Sequence, residues 1–147
     1  MYIDTGLYLY RISGLSESIK TELKALYPEA TQETSDEIPH FTILIKNTSL
    51  IRRLLRPQVA ILIEGYQAFN PIAPKKLLPS IEWAMNWCVA AYDHTHLLIH
   101  CGVIVKDDKA ILFPAKSGSG KSTTATFLGL NGWTLYSDEM AVIDINT

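Results

Sequence analysis

Three observations predict an α/β fold for this chain. Apolar, β-prone segments alternate with segments of helical period along its length. Pro71, Pro74 and Pro79 cluster in one irregular connection, which sets a small α+β N-terminal lobe, residues 1–76, apart from residues 77–147. In the second part the octet AKSGSGKS, residues 115–122, stands between an apolar strand and a helix, the context of a phosphate-binding loop. The expected architecture is an N-terminal lobe followed by the start of a P-loop core.

Each element has its own signal. Residues 6–12 carry Leu7, Tyr8, Leu9 and Tyr10 and read as a strand. Ser16 is placed to cap a helix with Ile19, Leu23 and Leu26 on one face, ended by Pro28. Residues 30–39 are polar and loop-like. Residues 41–46 and 59–64 are β-branched and apolar, and are expected to pair as strands, the second closed by Gly65. Between them, residues 52–57 form a connector in which Arg52, Arg53 and Arg56 are most simply solvated. Residues 78–91 read as a buried helix, apolar around much of its circumference, with Trp83 and Trp87 as a core pair at i, i+4. Residues 97–105 read as one apolar strand, 106–109 as a hairpin turn and 110–114 as the returning strand. A helix follows over residues 121–130, stopped by Gly132, with Trp133 packed beneath it. Strands over 134–137 and 140–145 complete the chain.

Composition narrows the function classes. With 48% hydrophobic and 19% charged residues, the chain is expected to be globular and soluble. A net charge of −2 gives no electrostatic footprint for nucleic acid. No stretch approaches the roughly 18 apolar residues that span a bilayer, so no membrane partner is expected. The start, MYIDTGLYLYRISG, lacks the marks of a signal peptide. Cys88 and Cys101 have neither metal nor disulfide spacing and read as buried thiols of a cytoplasmic protein.

The chemistry concentrates in two places. In AKSGSGKS, Gly118, Gly120, Lys121 and Ser122 match the phosphate-loop pattern, with Ala115 in place of its first glycine. Small residues are needed because backbone N–H groups must wrap an anion closely, some from positive φ. The following helix aims its positive end at the same anion. Ala115, Lys116, Ser117, Gly118, Ser119, Gly120, Lys121, Ser122 and Thr123 are thus expected to bind ATP, with Lys121 along the β- and γ-phosphates and the Ser122 hydroxyl on Mg²⁺. The second place is Asp138-Glu139, at the end of a strand expected to neighbour the phosphate-loop strand. Together with Ser122, Asp138 and Glu139 are the expected metal-holding residues, and Asp138 is also a proton acceptor for an attacking hydroxyl. His94 and His96 carry no such signal.

The stretch HCGVIVKDDKAILFPAKSGSGKSTTATFLGLNGWTLYSDEMAVID resembles the catalytic core of the HPr kinase/phosphorylase family. That family has a histidine at the start of a hairpin, then the phosphate loop, then an acidic pair. Here Lys121 follows His100 by 21 residues and Asp138 follows Lys121 by 17, in register with the family pattern. The words RPQV (56–59), EWAMNWC (82–88) and GWTLYSDE (132–139) are similar to the branch called HprK-related kinase A, and the likeness runs from about residue 52 to 144.

The resemblance implies an HPr kinase/PEP carboxykinase-like core and an ATP- and Mg²⁺-dependent serine/threonine protein kinase. Its acceptor would be a small phosphocarrier-like protein, and the kinase a homo-oligomer. Carried over by position, Lys121 binds phosphate, Ser122 helps hold Mg²⁺, Asp138 is metal ligand or general base, Glu139 assists the metal, and His100 handles the proton near the transferred phosphate. There are departures. Glu139 stands where the family has a second aspartate, and Cys101 separates His100 from Gly102. The family also continues with further strands and helices, so the chain is expected to be a truncated version of that core. Two alternatives stay open: a nucleotide-binding regulatory module without transferase activity, and a small-molecule kinase or ATPase on the same core.

Overall fold

A computed structural model of the chain describes residues 1–48, 57–116 and 118–145. Residues 52–56 of the expected connector, which hold its three arginines, and Ser117 lie outside the described residues. The protein is mixed α/β and divides into two compact units, Met1–Cys88 and Val89–Thr147.

The first unit is a six-stranded mixed sheet in the order β3-β1-β2-β4-β5-β6. Its strands are β1 (Tyr2–Asp4), β2 (Leu9–Ser13), β3 (Thr31–Gln32), β4 (Phe41–Asn47), β5 (Val59–Ile63) and β6 (Tyr66–Gln67). The expected strand over residues 6–12 is in fact the second half of a hairpin. Gly6, at φ 83°, turns the chain between β1 and β2, and Thr5 and Tyr8 close the turn through backbone and hydroxyl bonds. The β2–β4 pair is parallel, and α1 (Glu17–Leu26) lies in the crossover between them. Ser16 caps α1 as expected, its hydroxyl accepting from the Ile19 N–H. Leu23 is fully buried while Leu26 is exposed, so the apolar face is narrower than the sequence implied.

In β4 the alternation is clean, with Phe41, Ile43 and Ile45 inside, as a strand with one solvated face requires. It pairs antiparallel with β5, as expected from sequence. The helix α2 (Leu77–Tyr92) buries Ile81, Ala84, Met85 and Cys88, a stripe at i, i+3, i+4 and i+7. Trp83 and Trp87 fall beside that stripe. Trp83 is therefore 54% exposed and packs on Phe69 at 4.0 Å between ring centroids, rather than in the core. Pro79 falls within the first turn of α2, where proline is tolerated.

The second unit holds a three-stranded antiparallel sheet, β10-β8-β9, and a two-stranded one, β11-β7. The strands are β7 (Leu97–Ile99), β8 (Cys101–Lys106), β9 (Lys109–Pro114), β10 (Thr134–Ser137) and β11 (Ala141–Ile143), and the helix α3 (Lys121–Leu130) packs on β8 and β10. Asp107 and Asp108, both at positive φ, make the tight turn between β8 and β9.

The single strand expected over residues 97–105 is broken at His100. On the partner side β10 and β11 are broken at the same level: Ile99 pairs with Ala141 and Val103 with Ser137, leaving residues 100–102 opposite residues 138–140. The acidic turn interrupts the ladder there, so β7 and β8 end up in different sheets. Trp133 is half-buried, its ring beneath the Lys106 ammonium at 5.6 Å.

Candidate functional site

Strand direction explains why distant motifs meet. β8 runs antiparallel to both β9 and β10. β9 and β10 therefore run the same way, and their C-terminal ends share one edge with the N-terminal end of β8. β9 delivers the glycine loop to that edge, β10 delivers Asp138-Glu139, and β8 starts there just after His100. The acid-bearing strand was expected beside the phosphate-loop strand; β8 instead lies between them.

The loop has the conformation its glycines were expected to provide. Gly118 is at φ 78° and Gly120 at φ 91°, the left-handed region that L side chains rarely adopt. Gly120 is the N-cap of α3, and no side chain caps that helix. The N–H groups of its first turn, at Lys121, Ser122 and Thr123, consequently have no intrahelical partner and point toward the site with the positive end of the helix dipole. The Lys121 ammonium donates to the Ala115 carbonyl at 2.7 Å.

His100, Gly118, Gly120, Lys121, Ser122, Thr123, Asp138 and Glu139 line one cavity of about 490 Å³. Ala115 and Ser119, with Gly120 and Lys121, line a neighbouring cavity of about 350 Å³ bordered by Leu112, Phe113 and Pro114. Lys116 is exposed and lines neither, although its carbonyl accepts from the Ser119 N–H at 3.2 Å. His100 Nδ1 lies 3.9 Å from Glu139 Oε2, with the two side chains 63% and 66% exposed.

The donor chemistry suits a hard cation. Asp138 Oδ1 is buried and has no hydrogen-bond partner among the described residues. A buried oxygen left unpaired costs about 1–3 kcal/mol, so this is where a cation would be accepted. Ser122 and Glu139 add exposed oxygens in the same cavity. No group of three or more His, Cys, Asp or Glu able to hold a metal occurs among the described residues. Mg²⁺ does not need one, because it keeps several waters and takes phosphate oxygens alongside one or two carboxylates. The residues fit Mg²⁺ bound together with a polyphosphate.

Three contributors escaped the sequence. Ser137 Oγ accepts from the N–H groups of Glu139 at 3.3 Å and Met140 at 3.1 Å and so shapes the acidic turn. A serine just before Asp-Glu is a turn signal that was available. Gly102 borders Asp138: a Cβ there would make ordinary contacts, 3.9 Å from Oδ1 and 3.9 Å from the Ala125 Cβ. The register shift in β10 between Leu135 and Ser137 has no sequence signature.

Among the described residues no helix is long and apolar enough to cross a membrane. Comparison of the chain with protein-family models, with curated proteins and with solved structures returned no match.

Proposed function

We propose that this chain binds the polyphosphate of ATP with Mg²⁺ at the glycine loop and transfers the γ-phosphoryl group to a serine or threonine hydroxyl of a small, phosphocarrier-like protein. The second unit is read as a P-loop core of the HPr-kinase type. The observation that carries this is the shared cavity: His100, the loop with Lys121, and Asp138-Glu139 are far apart in sequence yet line one space of about 490 Å³.

The chemistry assigned to each residue follows from its place. The unpaired N–H groups of the loop and of the first turn of α3 hold phosphate oxygens. Lys121 exchanges the Ala115 carbonyl for a phosphate oxygen, a charge-assisted and therefore stronger partner. Bound Mg²⁺ would supply neutralisation of phosphate charge, held by Asp138, Ser122 and Glu139. Asp138, or His100 at the mouth of the cavity, takes the proton from the acceptor hydroxyl as its oxygen bonds to the γ-phosphorus. The bond from that phosphorus to the bridging oxygen breaks, and ADP leaves with the electron pair. Catalysis here is positioning and charge stabilisation, as phosphoryl transfer requires.

The test is calorimetry with Mg-ATP, followed by phosphate transfer assayed by mass on the proteins encoded beside this one and on free serine. Saturable binding with transfer to a protein supports the proposal. Binding without transfer reduces it to a nucleotide-binding module, and phosphorylated serine would move it to a small-molecule kinase. No binding to folded protein removes it.

A further inference from the structure

We infer that a one-residue β-bulge at Tyr136, followed by a turn that the Ser137 hydroxyl fastens, is the device that aims Asp138 into the cavity, and that Ser137 is a positioning residue for cation binding. The inference rests on the nucleotide-binding role proposed above.

Register and pleat carry it. In the β10–β8 ladder Leu135 faces Ile104, but the next pair is Ser137 with Val103, so Tyr136 is an extra residue on β10. Opposed residues of an antiparallel pair point to the same face, and successive residues alternate. Val103 packs with Cys101 and Ala141 on one face of the sheet. A Cβ on Gly102 would meet Ala125 of α3 and Asp138 Oδ1, so the other face is the α3 side. Ser137, opposite Val103, points away from α3, and Asp138, one residue on, points toward it.

An uninterrupted ladder would reverse this. Tyr136 would face Val103, Ser137 would face Gly102, and Asp138 would face Cys101 among apolar side chains. A one-residue slip moves every side chain beyond it to the opposite face. Bulges beside functional sites re-aim side chains in this way. Tyr136 itself is 74% exposed, so its own packing does not account for the extra residue. The Ser137 Oγ then fastens the turn by accepting from the Glu139 and Met140 N–H groups. The buried, unpartnered Asp138 Oδ1 is the product of this arrangement.

The experiment compares the wild-type chain with Ser137→Ala, Ser137→Thr and a deletion of Tyr136. Two quantities are read: hydrogen exchange of the Glu139 and Met140 amides without nucleotide, and ATP affinity across a Mg²⁺ titration and in EDTA. Ser137→Ala is expected to speed exchange at both amides and to raise the half-saturating Mg²⁺ concentration about tenfold, the loss typical of an outer-shell partner. Ser137→Thr, which keeps the hydroxyl, should restore both. The Tyr136 deletion, where folded by circular dichroism, should lose the Mg²⁺ dependence of ATP binding altogether. If it does not fold, the Ser137 pair decides. Unchanged amide exchange in Ser137→Ala, faster exchange with wild-type Mg²⁺ dependence, or a folded deletion variant that keeps that dependence overturns the inference alone. A wild-type chain with no ATP affinity, with or without Mg²⁺, removes the nucleotide role and the inference together.

Discussion

The Lys121 ammonium and the Ala115 carbonyl oxygen are joined by a hydrogen bond of 2.7 Å that spans the glycine loop. The residue in place of the pattern's first glycine thus offers the lysine a backbone partner. Replacing Lys121 by alanine removes a charge-assisted donor worth about 1.5–3 kcal/mol to a bound phosphate. Mg-ATP affinity should fall by at least about tenfold in calorimetry, while the melting temperature stays near wild type because the side chain is not in the core. Phosphate transfer retained by the Lys121→Ala protein would defeat the proposed mechanism.

His100 and Glu139 form a long, exposed contact of 3.9 Å. Such pairs contribute little to stability. His100→Ala should therefore leave the denaturant midpoint nearly unchanged, a free-energy effect within about 0.5 kcal/mol. If His100 moves the proton, turnover should drop by roughly a hundredfold. A large loss of stability with normal turnover would assign the histidine to structure instead.

Gly14 sits at φ 77°, and a Cβ there would come within 2.0 Å of the Ile45 carbonyl oxygen. That overlap is with backbone, which cannot swing aside. Gly14→Ala should destabilise the first unit by about 3 kcal/mol or more, combining the left-handed penalty with forced displacement of β4. Gly6→Ala is the control: φ is 83° but nothing lies within 4 Å, so only about 1–2 kcal/mol should be lost. Equal losses in urea titrations of the two variants would refute the steric account.

Stability of the first unit should decline in alkali. Burial pushes the Cys88 thiol from 9.0 up to about 12. Burial also raises the Tyr10 hydroxyl, and burial with a hydrogen bond to Glu82 raises that of Tyr27, bonded at 2.6 Å. In the unfolded chain these groups lose their protons near their ordinary values, so above about pH 9 the folded state binds more protons than the unfolded one. Stability is full below pH 9 and is lost as pH climbs toward 12. Urea midpoints at pH 8 and pH 10.5 should differ in that direction, and a midpoint that rises with pH would contradict it. At pH 8 neither Cys88 nor Cys101, both buried, should be alkylated by iodoacetamide until the chain unfolds.

The local signals were legible because they depend on near neighbours in the chain. The Ser16 cap, the glycine loop followed by α3, the Asp107-Asp108 turn and the alternation in β4 each follow from residues a few positions apart. The sequence also named every motif that lines the larger cavity. Less was visible where the deciding contact lies elsewhere. Which stripe of the apolar helix α2 faces the core depends on the sheet beneath it, so Trp83 was misplaced. The break at His100 depends on the turn across the ladder.

By itself, then, the sequence determined which residues are candidates for the site and the left-handed glycines of the loop, since propensity, capping and left-handed glycines act within a few bonds. Only the tertiary structure decided the face to which Asp138 points and the lodging of β8 between β9 and β10. The first depends on the register of β10 against β8, where Ser137 pairs with Val103, and the second on the pairing of β8 with both neighbours, properties of the pairing and not of any strand alone.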